Sequence, residues 1–407
     1  VQKYGGTSVG SAERLRAVAG RVAKRRAEGH PMVVVVSAMG DTTDELIDLA
    51  HQISASPPAR EMDVLLSTGE TQSSALMVMA LHELGCEAIS LSGPQAGMRT
   101  SNVHRNARIL ALEPKRVRDE VERGRVVIVA GFQGLTEGDD VATIGRGGSD
   151  TTAVAFAAAL GGSCEIYTDV DGVYTADPRV EPNARKLKDI TYEEMLELAS
   201  KGAKVMAPRA VELGSVYNIP ILVASSMRDE PGTLIHGGVD MEGFNRVRGI
   251  AHDVDVAKIT IRGVPDRPGV AAEVFAPLAD AHLSVDTIVQ NASEETLTDI
   301  TFTLAKNDLK AAFPHVEAVA KTIGAKEVVA DERMAKVSIV GTGIQSAPGY
   351  AARMFRTLSD AGINIEIIAT SEIRITCIIP EDRVADAVRA LHAAFELEKA
   401  EAADLSA

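Results

Sequence analysis

The chain has 407 residues, enough for two or three domains; 45% are hydrophobic, 3% aromatic and none is Trp, so its cores must be Ala, Val, Leu and Ile. A formal net charge of −15 argues against nucleic acid and anionic membranes as partners, while anionic small molecules stay open wherever basic residues gather locally. Cys86, Cys164 and Cys377 are far apart and make no metal spacing, no apolar run is long enough to span a bilayer, and no signal-peptide pattern is present; a cytoplasmic protein with free thiols is expected.

In chain order, Val1–Tyr4 reads as a strand and Gly5–Ser8 as a glycine turn. A helix from Ser11 follows, with Leu15, Val18 and Val22 on one face. Strand, glycine turn and helix make an anion-binding corner, with Lys3 beside it as a point charge. Neither a Walker A loop nor a GxGxxG fingerprint occurs. Met32–Ser37 is a nearly continuous apolar strand feeding another turn and helix, Glu70–Leu84 reads as a helix, and Ala88–Leu91 and Val126–Ala130 read as strands.

Thr143–Gly162 is the stretch with the most chemistry. Gly145, Gly147 and Gly148 surround Arg146, then Ser149 or Asp150 is expected to cap an Ala-rich helix. Such a helix start binds carboxylate or phosphate, and the Arg146 fork suits a two-point carboxylate grip. On its own the segment also fits an ordinary glycine-rich turn. Cys164–Tyr167 is the next strand, followed by the turn-rich Thr168–Arg179. Strands alternate with helices to about residue 235, which predicts an α/β domain with a mainly parallel sheet sandwiched by helices and its ligands at the carboxyl ends of the strands.

Six ordered motifs, KYGGTSVG (3–10), VSAMGDTTDEL (36–46), STGE (67–70), GRGGSDTTA (145–153), TDVDGVYTADPR (168–179) and GAKVMAPRAVE (202–212), resemble aspartate kinases of the amino-acid kinase superfamily. The resemblance is closest to the monofunctional type regulated by lysine and threonine. It implies transfer of the γ-phosphoryl of ATP to the β-carboxylate of L-aspartate, the first step of lysine, threonine and methionine biosynthesis. It places Lys3, Tyr4, Gly5, Gly6, Thr168, Asp169, Tyr174, Asp177, Pro178, Arg179 and Lys204 around the nucleotide. Ser37, Thr43, Glu70, Arg146 and Ser149 would hold aspartate, with Lys3, Arg146 and Asp150 as the catalytic set. Read without the resemblance, Glu70 could be a helix N-terminal acid, Asp177 and Arg179 plain turn residues, and Tyr174 a packing residue. Mg²⁺ should arrive with ATP, and no dedicated metal motif is present.

Residues 236–250 form the expected linker between a catalytic domain, 1–235, and a duplicated half. Residues 262–293 align with 340–372, each a strand, a Pro-Gly turn, an Ala-rich amphipathic helix and an alternating strand; a further strand and helix follow each copy. This is the ferredoxin-like βαββαβ pattern twice over, at 251–331 and 332–407. The second copy lacks a final strand, and Val247–His252 is surplus before the first, so that strand is expected to complete the second sheet. The pair resembles ACT domains, which implies an amino-acid effector, lysine and/or threonine, near Asp266, Gly269, Val270, Ala271, Asp286, Gln290, Asn291, Asn364, Ile365, Thr370, Ser371 and Glu372. A duplicated dimerisation module without a ligand is the plainer reading, with Asp266 and Glu372 as turn caps. The resemblance implies a homo-oligomer formed through the ACT domains, or a heterotetramer with a regulatory chain started internally near Met241. A catalytically silent amino-acid sensor and another carboxylate kinase of the same fold are the rival functions.

Overall fold

Val33–Val36 and Val126–Ala130 are buried at every position, as strands covered on both faces must be. The structure is a computed structural model that describes residues 1–200, 202, 205–238, 247–291, 296–344 and 348–399. Two compact units emerge; the described residues of the first are 1–173, 186–200 and 205–238, and of the second 174–185, 202 and those from 247 to 399.

The first unit is built on an eight-stranded sheet. Its order is Asp189–Thr191, Thr233–His236, Ile221–Ser225, Cys164–Thr168, Gln2–Tyr4, Val33–Val36, Val126–Ala130, Ala88–Leu91. Every pairing is parallel except Ile221–Ser225 with Thr233–His236. Gln2–Tyr4 lies centrally, with Lys3 opposite Val35 on one side and Ile166 on the other. A second, four-stranded sheet joins Ile109–Leu112, Met98–Thr100, Gln133–Leu135 and Val141–Thr143. The helix Ala12–Ala27 begins at Ser11, whose Oγ accepts from Arg14 N at 3.2 Å, and seats Leu15, Val18 and Val22 against Tyr4, Val34 and Val36.

Two expectations are corrected here. The helix expected at Glu70–Leu84 runs from Ala59 to Glu83. Its buried face includes Asp63, Ser67, Glu70, Ser73 and Ser74, so the apolar period that marks a helix is broken in its first half. Neither Ser149 nor Asp150 caps the helix Gly148–Leu160. Gly147 does, at φ +72°, and both side chains are left free of that duty. The helix is buried all along Gly148–Ala157, which explains its unbroken run of small and apolar residues.

The second unit carries one six-stranded antiparallel sheet: Ile288–Gln290, Leu297–Leu304, Gly249–Pro265, Glu327–Val340, Arg374–Pro380, Ile367–Ser371. Gly249–Pro265 is a single 17-residue strand. Gly249–Asp253 pairs with Lys336–Val340 of the second repeat, and Lys258–Arg262 pairs with Glu327–Asp331. The surplus strand thus joins the second repeat as expected, and because it continues without a break into the first strand of the first repeat, the two repeats share one sheet. Each repeat has its own core: Ile259, Ile261, Val274, Leu278 and Phe302 in one, Val337, Ile339, Met354, Leu358 and Cys377 in the other. Residues 174–185 belong to this unit: Ile250 N donates to Thr175 O (2.7 Å), Thr175 Oγ1 meets His392 Nε2 (3.0 Å), and Ala176 joins the second core. Among the described residues no helix is long and apolar enough to cross a membrane.

Candidate active site

The carboxyl ends of the central strands bring most of the expected residues of the first unit together. Lys3, on the central strand, meets Asp150 in the first turn of Gly148–Leu160 at 2.6 Å, with both side chains largely shielded from solvent. The other Asp150 oxygen accepts from Ala207 N at 3.3 Å. A Cβ on Gly147 would come to 2.2 Å of the Ala207 Cβ, so at φ +72° only glycine lets this turn approach the start of the helix Pro208–Tyr217. Tyr4 is buried and stacks on Tyr167 with ring centroids 5.0 Å apart, seating the strand that carries Lys3. Gly5 N donates to Tyr167 O (3.2 Å) and Gly6 O accepts from Gly40 N (3.1 Å), which joins the first glycine turn to its neighbours.

Glu70 lies close to the middle of its long helix and so is not an N-terminal acid. Its Oε1 accepts from Ala38 N at 3.2 Å, while Oε2 is buried with no hydrogen-bond partner among the described residues. Burial pushes its carboxyl from 4.5 up to about 7. A buried carboxylate with one oxygen unused is costly unless a cation or donor arrives to satisfy it. Ser37 follows Val36, with its N–H donating to Tyr4 O (3.1 Å), and Thr43 stands in the first turn of Thr42–Ile53. Ser149 is buried beside Asp150, whereas Arg146 is exposed and has no hydrogen-bond or ion-pair partner among the described residues.

The nucleotide set is divided. Thr168 Oγ1 donates to Asp169 Oδ1 (3.0 Å) in the first unit. Tyr174, Asp177, Pro178 and Arg179 belong to the second unit, where Arg179 and Asp177 pair at 2.7 Å and the Arg179 N–H closes the turn on Asp177 Oδ1. The guanidinium holds the Asp177 carboxyl below its ordinary range. Lys204 and Met241 lie outside the described residues.

The effector candidates fall on the loops and edges of the second unit. Asp266 is exposed and its N–H donates to Thr296 O (2.7 Å); Gly269 caps the helix that starts with Val270 and Ala271. Gln290 ends an edge strand, and Asn291 O accepts from Thr298 Oγ1. Asp286 pairs with the buried Lys336 of the other repeat. Asn364 Nδ2 donates to Glu366 Oε1 (3.2 Å), Ile365 packs on the second core, Thr370 and Ser371 end the other edge strand, and Glu372 is exposed.

Two contributors had no role in the sequence reading. Arg209 donates from Nη1 to Ile144 O (2.8 Å) and from Nη2 to Ala107 O (3.1 Å), holding the backbone just before Gly145. Ser8 Oγ donates to Ser226 Oγ (2.8 Å), which donates to Thr168 O (3.1 Å), tying the first glycine turn to the start of the 168–179 motif. The only signal for Arg209 was its place inside the 202–212 motif; Ser226 had none beyond following a strand.

The chain is similar to known proteins along its length. Residues 1–225 match the amino acid kinase family, and 259–321 and 337–395 each match the ACT domain. An aspartokinase of Mycolicibacterium smegmatis is 51% identical over 404 residues, spanning 98% of this chain and 96% of that protein. The crystal structure of E. coli aspartokinase III in complex with aspartate and ADP (R-state) superposes with a TM-score of 0.82 at 25% identity, covering 97% of this chain and 99% of that one. The same E. coli enzyme in complex with lysine and aspartate (T-state) gives 0.74 at 26% identity, covering 97% and 98%.

Proposed function

The chain belongs to the aspartokinase family, and we propose that it phosphorylates the β-carboxylate of L-aspartate with ATP through the residues gathered at the carboxyl ends of its central strands. The observation that carries this assignment is the buried, unused oxygen of Glu70. An α-ammonium there would satisfy the carboxylate, while the Arg146 fork takes the α-carboxylate and Ser37, Thr43 and Ser149 supply hydroxyls around the rest of the substrate. The attacking β-carboxylate is ionised at neutral pH, so no general base is required. What the protein supplies is position and positive charge for a strongly anionic transition state. Lys3, kept in place by Asp150, faces the phosphates with Gly5 and Gly6. Thr168, Asp169, Tyr174, Asp177, Pro178, Arg179 and Lys204 are assigned to the nucleotide. Among the described residues no group of three or more His, Cys, Asp or Glu could hold a metal; Mg²⁺ would come with ATP, held by its phosphate oxygens and water.

The two ACT repeats are assigned an amino-acid effector, lysine and/or threonine, at their turns and edge strands, and a cytoplasmic homo-oligomer is the assembly that accompanies this reading. The lysine-bound T-state of the E. coli relative supports the effector class. An ATP-dependent hydroxamate assay with aspartate, glutamate and N-acetylglutamate, with and without lysine and threonine, tests both parts. Aspartate should be the strong substrate, and N-acetylglutamate, which lacks the amine Glu70 would meet, should be inert. Equal turnover of N-acetylglutamate would overturn the Glu70 assignment.

A further inference from the structure

We infer that Asp63 is a positioning residue that sets the spacing between the two groups assigned to the substrate amine and α-carboxylate. This rests on the assignment of Glu70 and Arg146 to aspartate. Asp63 is fully buried, seven residues before Glu70 on the same helix. A seven-residue step returns to the same helix face about 10 Å along the axis, so both carboxylates stand on one rigid stripe. Each Asp63 oxygen is used. Oδ1 accepts from Thr143 Oγ1 at 2.6 Å, Oδ2 meets His104 Nδ1 at 2.8 Å, and the Arg105 N–H reaches both, at 3.1 and 3.0 Å.

These partners lead directly to Arg146. Thr143 ends the strand three residues before it, and Thr143 O accepts from Ala107 N at 2.9 Å. Arg105 O lies so close to Gly145 that a Cβ there would meet it at 3.1 Å. Arg146 itself stands between Gly145 at φ +87° and Gly147 at φ +72°, a backbone with much freedom to lose, and among the described residues its own side chain makes no hydrogen bond or ion pair. One buried carboxylate therefore ties the helix of Glu70 to two of the chain segments that hold the Arg146 loop, the 104–107 segment and the strand ending at Thr143. A fully bonded buried carboxylate tolerates little displacement, because losing any of its donors leaves charge uncompensated. The Arg60–Asp140 pair also joins this helix to the residue just before the same strand, but half in solvent, where such pairs have weak hold.

The test is a split in kinetic constants on full-length enzyme, with thermal melting alongside. Thr143→Val removes one donor to Asp63 at nearly constant shape and should raise the KM for aspartate about tenfold, leaving the KM for ATP within about twofold; Thr143→Ser keeps the hydroxyl and should restore the wild-type value. Asp63→Asn should do more, and should also narrow the preference for aspartate over glutamate, since the clamp no longer has one length. If Asp63→Asn fails to fold, the Thr143 pair decides. Unmoved aspartate constants in Thr143→Val, or equal rises for aspartate and ATP, overturn the inference. Arg146→Lys separates this from the parent assignment: it should cut kcat/KM for aspartate severely, and if it does not, the substrate assignment fails first.

Discussion

Lys3 and Asp150 hold each other at 2.6 Å with each side chain 11% exposed, one from the central strand and one from the first turn of the Gly148–Leu160 helix. The pair spans the corner where the phosphates are assigned, and the helix start behind it adds its own partial positive charge. Breaking one side of a shielded ion pair strands the other charge, at about 3–5 kcal/mol. Asp150→Asn should therefore lower thermal stability and reduce kcat at least tenfold, because Lys3 loses the partner that aims it. The double variant Lys3→Met with Asp150→Asn should recover much of the lost stability but none of the activity. Wild-type kcat in Asp150→Asn would remove Asp150 from the reaction.

Glu70 makes the aspartate site sensitive to pH. Its folded value is raised from 4.5 to about 7 by burial, so in the empty enzyme it is largely neutral below that point. An amine-binding Glu70 must be ionised, and kcat/KM for aspartate should fall on an acid limb near pH 7 while the KM for ATP stays flat across it. Glu70→Gln should lower the plateau and erase the limb. The stability effect follows the sign of the shift: the raised value favours the folded state most below pH 4.5, and that contribution is lost as pH rises through about 7. Melting curves should accordingly show Glu70→Gln gaining on the wild type between about pH 4.5 and 7. A wild-type acid limb that persists in Glu70→Gln assigns it to another group.

Much of this fold was legible because single strands carry their burial in their composition: Val33–Val36 and Val126–Ala130 are apolar without interruption, and both are internal strands. The duplicated turns at Gly269 and Gly349 were equally plain, and each caps a helix at positive φ. What stayed hidden was polar burial. Asp63, Ser67 and Glu70 interrupt the apolar period of a face that is nonetheless buried, so the sequence pattern marks the helix only from Glu70. The partners of Asp63 lie 41, 42 and 80 residues on, at separations no local pattern registers. The break between compact units inside the 168–179 motif was hidden for the same reason, since it depends on Thr175 meeting Ile250 and His392.

The repeats are cross-tied by two ion pairs related by the internal duplication. Lys336 of the second repeat reaches Asp286 of the first, and Lys258 of the first reaches Glu366 of the second at 2.9 Å. The two ties differ mainly at the lysine: Lys336 is 6% exposed against 19% for Lys258, while of the carboxylates Asp286 is the more exposed, at 45% against 32% for Glu366. Because Lys336 is the more buried lysine, Asp286→Asn should destabilise the protein more than Glu366→Gln, which should cost about 1 kcal/mol or less. Urea denaturation monitored on the second unit measures both. Equal effects would mean that Lys336 finds another counter-charge when Asp286 is neutralised.

Effector response should be separable from catalysis at the turns of the first repeat. Inhibition requires the effector to bind the inhibited state better than the active one, by a coupling of typically 1–3 kcal/mol. Asp266 is exposed, and its backbone N–H, not its carboxylate, makes the turn contact with Thr296; Gln290 ends an edge strand with its side chain exposed. Neither side chain has a hydrogen bond among the described residues, so each is available to a charged amine or carboxylate. A hydrogen bond to such a group contributes about 1.5–3 kcal/mol, which sets the scale of its loss at roughly tenfold or more in effector concentration. Asp266→Ala and Gln290→Ala should keep most uninhibited activity and shift the lysine or threonine inhibition midpoint upward by that factor. If these residues serve only their turns, the same substitutions lower the melting temperature and leave the midpoint where it was. Inhibition curves and melting curves on the same two variants distinguish the outcomes, and an unchanged midpoint in both takes Asp266 and Gln290 out of the effector site.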